Sequence, residues 1–73
     1  MDAEIIEFVV KENSKVTKAP IKDLKFPLTS NIAGVIRDGI PIIPFGNFQL
    51  MENDKTIVFS LTESIKAIEQ FFQ

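Results

Sequence analysis

The chain has 73 residues, of which 45% are hydrophobic, and it carries a formal net charge of −2 with neither cysteine nor histidine. A chain of this length forms one small domain, near the lower limit for folding without covalent or metal cross-links. The composition excludes a disulfide framework, the usual zinc sites and a histidine general base, and the negative charge gives no electrostatic case for binding nucleic acid. No apolar run approaches the roughly 20 residues that cross a bilayer, and no signal peptide is visible. These features indicate a soluble cytosolic domain.

The first part of the chain predicts a strand followed by a short helix. Residues Glu4 to Val10 alternate between apolar and mixed positions, which is typical of a strand with one apolar face. Residues Thr17 to Phe26 are expected to form a helix of at most two turns. Pro20 suits a first helical turn, because its missing N–H is not needed there, and Pro27 stops the element.

A β-hairpin is predicted at the dipeptide Asp38-Gly39, which separates two apolar runs. A type I′ turn needs positive φ at both central residues, and Asp and Gly tolerate that conformation. The two-residue loop places Arg37 and Ile40 opposite each other. Because Pro41 lacks an N–H, the second strand of the hairpin is expected to be a short edge strand.

The rest of the chain predicts one more strand and a terminal helix. Residues Thr56 to Leu61 alternate, with Phe59 on the side expected to face the core, so that an acidic residue at Ile36 or Phe59 should abolish folding. An apolar stripe at helical spacing follows, formed by Ile65, Ile68 and Phe72. The element order is strand, helix, strand, strand, strand, helix, which predicts an α+β fold with a mostly antiparallel four-stranded sheet and two helices.

A single pattern in the second half of the chain carries a family resemblance. It consists of an arginine, a turn glycine, a proline that closes a short strand, and then glycine, leucine and aspartate before the last strand: Arg37, Gly39, Pro44, Gly46, Leu50 and Asp54. In this order and spacing the chain resembles the TrkA C-terminal domain, also called the RCK C-terminal domain, of prokaryotic potassium-transport regulators. The likeness extends from Ile6 to Phe72, but the family's glycine before the first helix is missing at Thr17. The resemblance implies that residues 1–73 are one regulatory domain excised from a longer chain.

The resemblance also implies a function. Such a domain would sit on the cytoplasmic side of a potassium channel, or of a transporter for potassium or another cation, held at the inner face of the membrane through that partner. It would form a homodimer, insert into no membrane, need no cofactor and bind a cyclic dinucleotide such as cyclic di-AMP at the dimer interface. The alternative is a purely structural dimerisation module with no ligand.

Five residues are candidates for ligand binding. In family members that bind cyclic di-AMP, a basic residue after the first helix and an asparagine before the second strand take part. Lys25 and Asn31 stand at roughly matching positions, although arginine is usual at the first. Ile32 and Pro44 would wall the base, and Arg37 offers phosphate a planar fork of donors. With no Tyr or Trp in the chain, stacking would rest on aliphatic contacts.

Each polar candidate also has a purely structural interpretation. Asn31 would then only shape its loop and Lys25 would be solvated. Arg37 would be a surface arginine paired with Asp38 or Glu52, which is a common and weak type of ion pair. On the surface interpretation, Arg37 should be replaceable without unfolding the domain.

No catalytic site is predicted. No histidine is present to activate a serine or threonine, and no spacing brings two carboxylates into one cleft. The three glycines are well separated in the sequence and make no phosphate-binding loop. The sequence therefore offers no set of nucleophile, base and oxyanion donors, and no enzyme is predicted.

A twofold dimer is predicted from the hairpin strand. Simple alternation puts Ile32, Gly34 and Ile36 on one face and Ala33 and Val35 on the other, so both faces are apolar. One helical layer covers only one face of a sheet, and a second copy is the commonest way to cover the surplus. The alternative is a monomer whose second helix covers the other face.

Overall fold

Four antiparallel strands form one sheet in the computed structural model, which describes residues 2–73. The sheet order is β1-β4-β2-β3, and the strands are β1 (Ala3–Val9), β2 (Ser30–Arg37), β3 (Ile40–Ile42) and β4 (Lys55–Leu61). The long strands β1 and β2 both pair with β4, so β1 and β3 are the two edges. The predicted antiparallel α+β sheet is confirmed.

The helical part is smaller than predicted. One α-helix, α1 (Ile65–Phe71), follows β4 after a single 3₁₀ turn at Thr62–Ser64. The helix predicted over residues 17–26 is wrong, because two separate 3₁₀ turns, Lys15–Thr17 and Ile21–Asp23, take its place. Pro20 lies between them with φ −59° and ψ 153°, and a proline disfavours helical geometry in the residue before it. Among residues 2–73, no helix is long and apolar enough to span a membrane.

The hairpin between β2 and β3 has the predicted register. Arg37 pairs with Ile40, and the turn residues Asp38 and Gly39 have φ of 51° and 79°. β3 is three residues long and ends at Ile42, as expected for an edge strand that contains a proline.

A β-bulge in β2 overturns the simple alternation predicted for that strand. The register against β4 shifts between Ile32 and Gly34, which leaves Ala33 as an extra residue. Ile32 and Val35 therefore both point to the covered face, where they are 8% and 1% exposed.

The hydrophobic core lies on one face of the sheet only. It is formed by nine buried residues: Val10, Val16, Leu24, Ile32, Val35, Leu50, Val58, Ile68 and Phe72. Four phenylalanines pack the terminal helix against this face. The rings of Phe8 and Phe72 stack with their centres 4.5 Å apart, and those of Phe26 and Phe71 meet edge to face with their centres 4.7 Å apart. The 3₁₀ turns, the loops and α1 thus form a single layer over the sheet.

The other face of the sheet is uncovered, and we call it the open face. Its side chains are those of Ile5, Glu7, Val9, Asn31, Gly34, Ile36, Pro41, Lys55, Ile57, Phe59 and Leu61, which alternate with the covered positions. The predicted period of β4 is right but the chosen face is wrong, because Val58 is buried and Phe59 is 47% exposed. The covered face takes the smaller residues of β4, Thr56, Val58 and Ser60, all of which are fully buried.

Candidate functional site

The five candidate ligand residues do not form one cluster within a single chain. Asn31 and Ile32 begin β2, whereas Arg37 ends it. At about 3.3 Å per residue, Asn31 and Arg37 are roughly 20 Å apart along the strand. Any site that used both residues would have to extend along the whole strand or draw on two chains.

Asn31 lies at the rim of an apolar cleft on the open face. Its side chain is exposed, and it is in register with Phe59 of β4. The cleft has a volume of about 340 Å³, and its lining is Leu28, Thr29, Ser30, Asn31, Phe59 and Leu61. The site therefore offers one amide, which both donates and accepts hydrogen bonds, beside an apolar wall.

The loop that carries this cleft is held in place by hydrogen bonds. The Ser30 hydroxyl donates to the Pro27 carbonyl at 2.8 Å, and the Thr29 hydroxyl shares a hydrogen bond with the Ser64 hydroxyl at the start of α1. These contacts fix the entry into β2. The amide of Asn31 is consequently presented from an ordered loop and strand.

Phe59 is the residue of this cleft that sequence reasoning missed. Its ring stands on the open face directly opposite Asn31, so aromatic stacking does not have to come from Tyr or Trp. The alternation of β4 already placed Phe59 on the face opposite Val58. What the sequence did not supply was which of those two faces the helical layer covers.

The other candidates near the start of β2 differ in accessibility. Ile32 faces the core opposite Val58, so its side chain is not available to wall a base as predicted. Lys25 is exposed and has a left-handed backbone, with φ 58°. Pro44 is half-buried, two residues beyond the end of β3. Neither Lys25 nor Pro44 lines the Asn31 cleft.

Arg37 is engaged by a buried carboxylate. Its Nε donates to Oδ1 of Asp54 at 2.9 Å and its Nη2 donates to Oδ2 at 2.7 Å, while Asp54 is only 2% exposed. The same Nη2 also donates to the Gln49 carbonyl at 3.1 Å, and the guanidinium lies 4.7 Å from the centre of the Phe48 ring. The predicted partners Asp38 and Glu52 are therefore wrong, and so is the expected surface pair. The phosphate-binding role of Arg37 stays a prediction.

The Asp54 carboxylate ties together two segments that are distant in sequence. Oδ2 accepts a hydrogen bond from the Met51 N–H at 2.8 Å in addition to its bond from Arg37. Burial alone would raise the pKa of Asp54, but the hydrogen bonds from Arg37 and Met51 and the charge of Arg37 outweigh it and lower that pKa below its ordinary value of 3.8. The hydrogen bond to Asp54 in turn raises the pKa of Arg37.

This pKa shift predicts a specific acid sensitivity. A carboxyl group whose pKa is lower in the folded than in the unfolded state stabilises the fold fully above the unfolded-state pKa, and that contribution is lost as the pH falls through the folded-state pKa. We therefore expect Asp54 to contribute fully above about pH 5, and progressively less below about pH 4. Urea unfolding between pH 7 and pH 3 measures the loss.

Asp54→Asn is the matched control for the acid sensitivity. Asparagine keeps the shape of the side chain but does not titrate, so this variant should be less stable at pH 7 and lose less stability on acidification than the parent. Equal acid losses in the two proteins would contradict the assignment to Asp54, because the remaining carboxylates are common to both.

The loop between β3 and β4 is also joined to the turn that precedes Lys25. The N–H of Ile21 donates to the Phe48 carbonyl and that of Lys22 to the Gly46 carbonyl, both at 2.9 Å. A Cβ added at Gly46 would come within 3.3 Å of the Lys22 Cβ, so the two backbones approach closely there. The exposed Lys25 thus follows a segment that is fixed by hydrogen bonds.

Among residues 2–73, no group of three or more acidic residues is arranged to hold a metal ion.

Comparison with known proteins agrees with the resemblance. The family model described as the TrkA-C domain matches residues 5–73. The chain is 35% identical over 71 residues to the Trk system potassium uptake protein TrkA homolog 2 of Methanosarcina mazei, covering 97% of this chain and 16% of that protein. It is 30% identical over 70 residues to the Trk system potassium uptake protein TrkA of Azorhizobium caulinodans, covering 96% of this chain and 15% of that protein. The chain therefore spans about one sixth of the length of these two relatives.

A solved structure has the same fold. The chain superposes on a structure described as "Structure of RCK domain with cda" with a TM-score of 0.71, covering 100% of both chains at 19% sequence identity. At this identity the likeness shows the fold and nothing finer.

Proposed function

Since this chain belongs to the TrkA-C domain family, we propose that it is the regulatory ligand-binding and dimerisation module of a prokaryotic transporter or channel for potassium or another cation. Two of its relatives are Trk system potassium uptake proteins in which the matching part is a minor share of the chain. By analogy with these relatives, the proposal takes residues 1–73 as one module of a longer chain. The module works at the inner face of the membrane, through its transporter.

The observation that carries the ligand part of this proposal is the cleft beside Asn31. A ligand site combines apolar walls with a few polar groups that fix orientation, and here the exposed Asn31 amide stands next to the exposed ring of Phe59. A nucleobase matches both features, because its edge bonds an amide and its face stacks on a ring. The exposed Lys25 supplies a positive charge on the segment that leads to this loop.

The ligand that fits best is a cyclic dinucleotide such as cyclic di-AMP. It has two bases, two phosphates and twofold symmetry, which suits a site built from the same patch of two chains. Phe59 supports this choice, since an aromatic platform replaces the aliphatic contacts expected from the sequence. Ile32 contributes through the core beneath the site, and Pro44 lies outside the cleft.

Isothermal calorimetry with cyclic di-AMP, cyclic di-GMP, ATP and NADH tests the ligand proposal. We expect a cyclic dinucleotide to bind with a Kd below about 100 μM, which corresponds to roughly −5.5 kcal/mol. Asn31→Ala should weaken binding at least about tenfold, the effect of losing one well-placed hydrogen bond, without changing the melting temperature by more than a few degrees. Asn47→Ala, at an exposed turn asparagine, is the matched control and should bind normally.

A module that only dimerises is the second candidate function. The observation that favours it is the uncovered apolar face, which needs a partner whether or not a ligand binds. If none of the four nucleotides binds below about 100 μM, the ligand proposal fails and the structural module remains.

A further inference from the structure

We infer that the outer edge of β1 binds an extended basic segment of a partner protein, which joins the sheet as an additional strand. β1 has seven residues and pairs with β4 on one side only. Among residues 2–73, no backbone hydrogen bond connects the outer side of this strand to another segment. An uncovered strand edge is a template for a further strand, and many domains bind extended peptides in this way. The edge is separate from the Asn31 cleft, so neither site depends on the other.

The hydrogen bonds at the two ends of β1 show which of its backbone groups are unpaired. The N–H of Val10 donates to the Asp54 carbonyl and the N–H of Thr62 donates to the Asp2 carbonyl, both at 2.9 Å. Hydrogen-bonded and non-hydrogen-bonded positions alternate along an antiparallel pair, so the even-numbered residues of β1 bond to β4. The odd-numbered residues therefore direct their N–H and carbonyl groups outward: Ala3, Ile5, Glu7 and Val9.

The opposite edge of the sheet is less suited to strand addition. β3 has only three residues, and one of them, Pro41, has no N–H to offer a new strand. Over Ala3–Val9, by contrast, β1 contains no proline and keeps an unbroken register with β4. The edge available to an added strand is therefore that of β1.

The charges of β1 specify the chemistry of the added strand. β1 carries two exposed acidic residues, Glu4 and Glu7, and no basic residue. Side chains alternate along a strand, so Glu7 projects from the open face and Glu4 from the other face. In every antiparallel register that pairs most of two copies of β1, a glutamate lies opposite or diagonal to its own copy, and like charges at these positions are unfavourable. The edge therefore disfavours a second copy and favours a strand with lysine or arginine on both of its faces.

A groove beside this edge gives the added strand room for its side chains. It lies where β1 meets the end of α1 and has a volume of about 430 Å³. The stacked rings of Phe8 and Phe72 contribute its apolar part. Glu7 and Glu69 line it together with a single basic residue, Lys11, so its charge balance is acidic. A partner strand that mixes aliphatic and basic residues matches both properties.

A synthetic octapeptide tests the site by NMR on the isotope-labelled protein. Its sequence is valine-threonine-lysine-valine-valine-lysine-threonine-lysine with both ends blocked, which sets lysines opposite Glu7, Glu4 and Asp2 when the peptide runs antiparallel to β1. We expect a Kd below about 1 mM, with the largest amide shifts at Ile5, Glu7 and Val9. The same peptide with glutamate in place of every lysine should not bind. Absence of binding by the lysine peptide overturns the proposal, and equal binding of the two peptides overturns its charge preference.

Two substitutions at one position separate the backbone of the edge from its side chain. Ile5→Pro removes an outward N–H but no bond to β4, so the fold should remain and the peptide should bind at least about tenfold more weakly. Ile5→Ala is the matched control, because it keeps the N–H and should bind nearly as well as the parent. Far-ultraviolet circular dichroism checks that both variants fold. If both bind equally well, the peptide does not add as a strand.

A charge reversal tests the partner chemistry. Glu7→Lys should weaken binding of the lysine peptide by about fivefold, since it replaces an attractive cross-strand pair with a repulsive one. Asp23→Lys makes the same change in net charge at an exposed residue of another segment, and it should bind like the parent. Equal losses in the two variants refute the placement at β1. Concentration-dependent shifts at the edge amides without peptide would mean that a second copy occupies the edge, which refutes the basic partner. Loss of the dimer or of nucleotide binding would leave these results unchanged.

Discussion

Replacing Arg37 by alanine is expected to lower the free energy of unfolding by about 3 kcal/mol, because it leaves a buried carboxylate without its counter-charge. The side chain of Asp54 is 2% exposed, whereas that of Arg37 is 29% exposed. Because Arg37 is partly exposed, water can partly hydrate the Asp54 carboxylate once the arginine is removed. The loss of stability should therefore fall near the lower end of the range for a broken buried ion pair. A domain of this size has only about 3–5 kcal/mol of net stability. Urea unfolding should therefore find Arg37→Ala marginally folded.

A double-mutant cycle separates the ion pair from the other contacts of Arg37. Arg37→Ala and Asp54→Ala should each be strongly destabilising, and the double variant should cost clearly less than the sum of the two, since each single change already breaks the pair. Arg37→Lys should recover only part of the stability, because a lysine lacks the fork that bonds both carboxylate oxygens. Phe48→Leu controls for packing of the guanidinium on the ring. Additive losses at Arg37 and Asp54 would mean that the two side chains act independently.

The parts of the fold that the sequence predicted well are those determined by a few adjacent residues. The Asp38-Gly39 turn set the hairpin register, because only residues that tolerate positive φ fit a two-residue turn. Asn53, in the turn before β4, has a φ of 73°, a left-handed conformation that asparagine adopts more readily than most residues. The family pattern through Asp54 predicted the membership that the comparisons confirm.

The wrong predictions depended on contacts between distant segments. The bulge at Ala33 is a property of the pairing between β2 and β4, so alternation within β2 alone could not reveal it. The partner of Arg37 is Asp54, which is 17 residues away and buried. The predicted partners were Asp38, which adjoins Arg37, and Glu52, which lies two residues before Asp54. The break at Pro20 was visible in the sequence, but the proline was placed in a first helical turn rather than between two 3₁₀ turns.

The candidate site shows the same division. Asn31 was predicted in the loop before the second strand, and it is the second residue of β2, with an exposed side chain. Ile32 was expected beside the ligand and lies in the core, while Phe59 was expected in the core and lies beside Asn31. The bulge at Ala33 turns Ile32 to the covered face, whereas the error at Phe59 concerns which face of β4 is covered. Which face of a strand is covered depends on where the helical layer packs. When both faces of a strand carry apolar residues, the sequence alone does not indicate which of the two faces that layer covers.

Opposite outcomes are expected when the same acidic residue is introduced at two neighbouring positions of β4. Val58 is fully buried and packs in the core, so Val58→Asp places a carboxylate where it has no partner and no water. The cost of several kcal/mol exceeds the roughly 3–5 kcal/mol available to a domain of this size. We expect this variant to be unfolded, with no cooperative thermal transition by circular dichroism at neutral pH.

Phe59→Asp should keep the fold, because the neighbouring residue points the other way. Its side chain is 47% exposed, so an aspartate there remains in contact with water in the single chain. The backbone ladder of β4 is the same in both variants, and both residues are in the middle of the strand. The two substitutions therefore differ only in the face that receives the charge. A folded Val58→Asp variant would contradict the placement of the core. A Phe59→Asp variant that is unfolded even when dilute would mean that the open face is covered within one chain, which would also remove the basis for pairing two copies through it.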